Sequence, residues 1–209
     1  MTLTNAYATL AAVKAELSIE DAKEDARIEA AISAASRRID SYCNRFFWQD
    51  ATVVSREFYP YDTNTVFTTD ISTTTGLIVK VDNNLVGTFS TTLTIATEFI
   101  LVPRNAAVEY PVRPFTQIRL TPEASTGFPA SRSRPSVQVT AKFGWPAVPA
   151  DVTRACVQES IMIFKGTSAA LGVVSGLSDT GFSYRVRDGL HPLATELLKG
   201  YIKHEDEDG

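Results

Sequence analysis

VQVTAKFGWPAVPADVTRACVQESIMIFK, residues 137–165, carries the chain from a strand through a Gly-Trp-Pro corner into a helix. Val137, Val139 and Ala141 alternate with Gln138, Thr140 and Lys142, the period-2 pattern of a half-buried strand. Gly144 permits a turn that a Cβ would hinder, and Pro146 and Pro149 cannot continue a hydrogen-bonded ladder. Pro149 also suits the first turn of a helix, where its missing N–H costs nothing. Val152, Ala155, Cys156, Glu159, Met162 and Ile163 then predict a helix over about 150–165. The corner is a seam where β structure hands the chain back to helices.

Helical patterns stand at both ends. Leu10, Val13 and Leu17 fall on one face behind Thr9 as N-cap and predict a short first helix. Ile28, Ala31, Ile32, Ala35, Ile39 and Tyr42 predict a second over about 21–43, and Ala30, Ala31, Ala34 and Ala35 make one side of it small enough for close helix packing. That neighbouring helix belongs either to the same chain, the simpler reading, or to another subunit. Glu24, Asp25 and Glu29 early, with Arg37 and Arg38 late, complement the helix dipole. Arg45-Phe46-Phe47-Trp48 follows, three aromatics that cap the helical core and anchor its exit. After the seam, 166–189 is Gly- and Ser-rich and predicts a flexible excursion or hairpin. Pro192 opens a fourth helix with the stripe Leu193, Leu197, Leu198 and Tyr201, and the acidic Glu205–Asp208 tail follows.

Between them the chemistry is that of strands. Residues 51–100 hold thirteen threonines among Val, Ile, Phe and Tyr. Strands are expected at 53–59, 77–81, 92–95, 99–102, 115–120 and 137–143, with a hairpin tip at Asp82-Asn83-Asn84. Residues 121–135 lack apolar periodicity and read as an exposed, mobile loop. The fold class is α+β: a four-helix unit from both chain ends with an antiparallel β domain inserted between helices two and three. In numbers, 1–50 and 144–204 form the helical core, 51–143 the insert and 205–209 the tail. The last helix, tethered by a Gly-rich segment, has docking on a different chain as its alternative.

Composition limits the function. With 209 residues, 44% hydrophobic and 21% charged, the chain is an ordinary globular protein, and its net charge of −4 equals the four acids of the tail. No apolar run approaches the roughly 20 residues of a membrane span, and the N-terminus lacks the pattern of a signal peptide, so the expected compartment is a cytoplasm. Cys43 and Cys156 sit inside helical patterns as small buried hydrophobes, and His191 and His204 stand in no metal-ligand spacing. Ser183 with His191 has neither elbow nor oxyanion loop around it. With no phosphate loop either, no enzyme and no cofactor are expected. Residues 101–142 carry six basic side chains against two acidic ones, too mild for a dedicated nucleic-acid domain.

The pieces AYATLAAVKAEL (6–17), EDARIEAAISAASRRIDSYCNRFF (24–47), TDISTTTGL (69–77) and VQVTAKFGWPAVPADV (137–152), taken co-linearly, resemble the head-to-tail connector, or adaptor, proteins of tailed bacteriophages. The resemblance implies a structural virion protein of the neck, assembled in the host cytoplasm. It implies a dodecameric ring beneath the portal protein that extends the DNA channel and docks a stopper or tail-completion protein. Viral DNA would pass without specific binding, which a weakly acidic helical lining suits. A ring of identical subunits needs two different complementary faces. Glu24, Ala31, Ala34, Ala35, Arg37, Arg38, Arg45 and Trp145 are the candidates for that contact, with the acidic start of helix two meeting the arginines across the joint. The portal contact falls on Leu193, Leu197, Leu198 and Tyr201. The simplest members of the family are little more than the helices, so the β insert departs from them. A second reading makes that insert a binding module for carbohydrate or a surface ligand, with Tyr59, Tyr61, Phe67 and Tyr110 as a stacking platform.

Overall fold

A computed structural model describes residues 3–131, 133–168 and 189–203, and among these the chain is mixed α and β, with four α-helices and two antiparallel sheets. It divides into two compact units, one of residues up to 44 with 148–202, the other of residues 45–147 with Lys203. The flexible segment expected at 166–189 falls largely outside the described residues, and the acidic tail does so entirely.

In the helical unit, α1 (Leu10–Leu17) begins where Thr9 Oγ1 accepts the Ala12 N–H at 3.1 Å and ends at Ser18 in the left-handed region, φ 55°. The second helix, α2 (Asp25–Cys43), starts later than its pattern predicts. Asp21 spends its carboxylate on the Lys23 N–H at 3.1 Å, the local bond by which aspartate competes with a helix. Against it packs α3 (Ala150–Ser168), burying Ile28, Ala31, Ile32, Ala35 and Ile39 on one side and Val152, Ala155 and Cys156 on the other. Cys43 and Cys156 are buried and form no disulfide, and burial pushes the Cys156 thiol up from its usual pKa. The last helix, α4 (Pro192–Leu198), closes in a 3-10 turn, Lys199–Tyr201, and packs on α3. Its inward residues are Ala194, Leu198 and Tyr201, whereas Leu193, expected in the stripe, is 60% exposed. With barely two turns of helix, i and i+4 inward leaves Leu193 on the far side.

In the β unit, β1 (Val54–Phe58), β3 (Ile78–Val81), β4 (Thr91–Leu93) and β7 (Val137–Ala141) form a sheet of order β1-β7-β3-β4. The second sheet, of β2 (Thr65–Ile71), β5 (Phe99–Val102) and β6 (Phe115–Leu120), has the order β2-β6-β5. Val79, Val81, Val137, Val139 and Ala141 from the first sheet share one core with Val66, Ile71, Phe99, Leu101, Phe115 and Ile118 from the second. The pairing Val54↔Ala141 and Val79↔Val139 sets the alternation read in 137–141 facing inward.

Three expectations for this unit are corrected. β2 has no counterpart among the predicted strands, because Thr68 and Asp70 are buried and a register shift between Phe67 and Ile71 breaks the apolar alternation. The hairpin expected at Asp82-Asn83-Asn84 is present, with β3 pairing antiparallel to β4, but the return strand starts only at Thr91, because the Asp82 carboxylate accepts the N–H groups of Asn84 (3.2 Å) and Gly87 (2.6 Å) and folds that stretch into a longer loop. The described residues of the 121–135 loop are pinned rather than free-standing: Phe128 is buried in the core, and its N–H donates to Thr63 O at 2.8 Å.

The same loop is tied by Glu98, whose carboxylate accepts the N–H groups of Ser125 (3.1 Å) and Thr94 (2.7 Å). Hydrogen bonds from the Ser125 side chain and from these two backbone groups hold its pKa at about 2, below the usual 4.5. A carboxyl depressed in the folded state stabilises it fully above the unfolded pKa, and that contribution disappears as pH falls through the folded one. Glu98→Gln should therefore flatten the loss of β-unit stability between pH 4.5 and 2. Urea unfolding followed by tryptophan fluorescence reads this directly, because both tryptophans, Trp48 and Trp145, lie in this unit. Equal acid slopes for the variant and the parent would refute it.

Candidate functional site

α2 divides sharply into faces. Ala31 and Ala35 lie in the core with Ile28, Ile32 and Ile39, while Ala30 and Ala34 are on the exposed side with Ser33, Arg37, Arg38 and Ser41. The alanine surface read as one patch is thus two, and only the Ala30/Ala34 half remains open. The charges assigned to a joint between subunits are engaged within the chain. Glu24 pairs with Arg27 at 2.5 Å and Lys14 with Asp25 at 2.6 Å. Arg38 meets Glu159 at 2.5 Å and Arg45 meets Asp70 at 3.5 Å.

Arg37 belongs to a clip on the N-terminal strap. Its Nε lies 3.0 Å from Asp40 Oδ2, a guanidinium N–H donates to Asn5 O at 2.8 Å, and the group stands 5.8 Å from the Tyr7 ring. The Tyr7 hydroxyl donates to Asp40 Oδ1, and the Tyr7 N–H donates to Ser36 Oγ at 3.1 Å. Burial pushes the Asp40 pKa up, while Tyr7 and Arg37 pull it partly back. Nothing in the helical periodicity signals this clip except a buried polar pair, Ser36 and Asp40, at i and i+4 on the inward face.

Trp145 is buried in the β unit at 2% exposure. Its ring lies 5.2 Å from that of Phe47, its Nε1–H donates to Asp70 Oδ2 at 3.0 Å, and Arg45 stands 5.6 Å from it. The Gly144 N–H donates to Asp70 O at 2.7 Å, so one residue of β2 holds both members of the corner. Asp70 was not read as functional; its one signal is an acid at an inward position of a Thr-rich strand. Phe46-Phe47-Trp48 belongs to the β unit and not to the helical core: Phe47 is fully buried there and Phe46 is 52% exposed.

Of the residues assigned to a portal, Leu198 and Tyr201 are buried, Leu197 half-buried and Leu193 exposed. The Tyr201 hydroxyl donates to Asp151 Oδ2 at 3.0 Å. In the β unit, Tyr61 stands edge-on to Phe67 with centroids 5.3 Å apart, and Tyr59 and Tyr110 are 47% and 97% exposed. Among the described residues, no group of three or more His, Cys, Asp or Glu could hold a metal ion, and no helix is long and apolar enough to cross a membrane.

Residues 7–85 match the family of phage gp6-like head-tail connector proteins, a stretch that takes in α1, α2 and the first three strands. This is the family the sequence resembles, although the Gly-Trp-Pro seam lies beyond the matched residues. Two solved structures share the fold. A chain from the neck of an empty gene transfer agent particle, with C6 symmetry, superposes with a TM-score of 0.53 at 15% identity, over 98% of this chain and 93% of that one. A chain from the neck of the native particle, with C12 symmetry, gives 0.51 at 15% identity over the same shares. No curated protein matches the chain.

Proposed function

We propose that this chain is a structural subunit of the neck of a phage-like particle, a head-tail connector that forms a ring under the portal, extends the DNA channel and docks a stopper or tail-completion protein. The connector match over residues 7–85 is the observation that carries the reading. Similarity of fold to particle-neck chains solved with six- and twelve-fold symmetry supports it. The architecture suits the role: a helical unit drawn from both chain ends with a β domain inserted between α2 and α3. Viral DNA passes through the ring unbound, and no enzymatic step is assigned.

The ring contact is placed on the open side of α2, centred on Ala34 and flanked by Arg37 and Arg38, because Ala31, Ala35 and Trp145 are occupied inside the chain. The portal contact is placed on the α4 segment around Leu193 and Leu197. Negative-stain imaging or mass photometry of the full chain, alone and with the portal encoded by the same genome, should show rings with a central hole. Ala34→Glu puts a charge on this surface without disturbing the buried stripe. Rings should be lost while the melting temperature of the chain changes little. A protein that stays monomeric with its portal at every salt concentration would sink the reading.

A further inference from the structure

Ahead of α4, an ion pair between α2 and α3 meets the chain at Gly189. Arg38 on α2 places one nitrogen 2.5 Å from Glu159 Oε1 on α3 and donates from another to Gly189 O at 2.7 Å. Glu159 Oε2 accepts the His191 N–H at 3.0 Å. One pair thus takes a carbonyl and an amide from the two ends of a three-residue stretch. His191 in turn caps α4, its Nδ1 accepting the Leu193 N–H at 3.3 Å.

From there α4 runs antiparallel to α3, since its start lies beside Glu159 and the Tyr201 hydroxyl meets Asp151, two turns nearer the α3 N-terminus. Seven residues of helix and a 3-10 turn are too few to be helical alone in water, so α4 exists only while docked. Its buried side chains are Ala194, Leu198 and Tyr201, with Leu197 half-buried, and polar ties stand at the two ends. The Glu159 side chain is 2% exposed and that of Arg38 41%, so the acid depends on a base that solvent, or another protein, can reach.

From this geometry we infer that the Arg38–Glu159 pair is a latch: while closed it holds Gly189–Tyr201 on the α2–α3 pair, and when Arg38 is drawn away that segment detaches as a unit. A buried carboxylate stripped of its cation is strongly unfavourable, and the cheapest way to rehydrate it is to release the strand of chain that covers it. α2 and α3 keep their apolar interface, which lies on other residues. Detachment would uncover Leu198 and Tyr201. The chemistry that opens the latch is a carboxylate-rich surface of a partner competing for the Arg38 guanidinium. The inference stands on the single chain and does not rest on the ring reading.

Amide hydrogen exchange of the full chain, followed by mass spectrometry, tests it. In Arg38→Met, peptides covering 189–201 should exchange at least about tenfold faster, with α2 and α3 unchanged. Arg38→Lys, which can still pair with Glu159 but lacks the second donor for Gly189 O, should fall between Arg38→Met and the parent. Unchanged exchange over 189–201 in both variants would overturn the latch. So would equal acceleration across α2, α3 and α4, which would make the pair a brace of the whole unit. Should Arg38→Met not fold, Arg38→Lys alone decides between these outcomes.

Discussion

Gly144→Ala is expected to unfold the β unit or to cost it about 4 kcal/mol or more, at the upper end of single substitutions. Gly144 has φ +103°, a backbone region that side chains rarely enter. A Cβ built there would lie 1.8 Å from Trp48 O and 2.8 Å from the Trp48 carbonyl carbon. Both obstacles are backbone, so no rotamer change relieves the clash. The stretch around Trp48 is itself tied to the corner: the Asp50 N–H donates to Phe143 O at 2.8 Å, and Asp50 Oδ2 accepts the Phe143 N–H at 3.3 Å. Moving one side moves the other, and with it the Ile71–Phe143 bridge that joins β2 to the corner. Urea denaturation followed by tryptophan fluorescence should show the midpoint collapse. Gly189→Ala is a useful control, since its φ is also positive, at +94°, but nothing lies within 4 Å of the added methyl. A Gly144→Ala protein with the parental midpoint would show that the corner can adjust.

Where the chain's physics is local, the sequence was legible. Thr9 as cap, Pro192 as a first-turn residue and the alternation of 137–141 rest on groups within a few positions of one another, and each stands where it was read. What failed was non-local. β2 hides because two of its inward positions are Thr68 and Asp70, and the inward acid is explained by partners remote in sequence, Trp145 and Arg45 among them. Phe128 looks like a loop aromatic until the core it fills is known.

The faces of α2 show a similar divide. The isoleucine stripe gives the phase of α2 and already sets Ala31 and Ala35 on the inward side, so that grouping them with Ala30 and Ala34 as one surface overlooks the turn of the helix between the two rows. Arginines at 38 and 45 read as free because their acids, Glu159 and Asp70, lie elsewhere in the chain, whereas the partner of Arg37, Asp40, stands at the regular i+3 spacing. Arg38 and Gly189 are 151 positions apart. Charge patterning along one helix cannot distinguish a side chain waiting for a partner subunit from one already satisfied across the fold. The exposed side of α2 therefore carries fewer unengaged charges than its sequence suggests.

Trp145→Ala separates these possibilities, because the two roles predict different observables. A tryptophan reserved for a neighbouring subunit would be removable with no change in the melting of the isolated chain and with loss of rings. The buried indole predicts the reverse order of events. Truncation should cost the β unit about 3–5 kcal/mol, the range for an aromatic removed from a core. It takes away the contact with Phe47 and removes the indole N–H from Asp70 Oδ2, a buried carboxylate oxygen that also lies 3.5 Å from Arg45 Nε. Trp145→Phe keeps most of the ring and removes only the donor, so it should fall between the parent and Trp145→Ala. Differential scanning calorimetry on the monomeric protein reads both without relying on the fluorophore that is lost. If the melting of Trp145→Ala equals that of the parent while rings are lost, the indole is a subunit contact. If melting drops in the monomer, any effect on rings is a consequence of an unfolded β unit, and interface mapping belongs on the open face of α2.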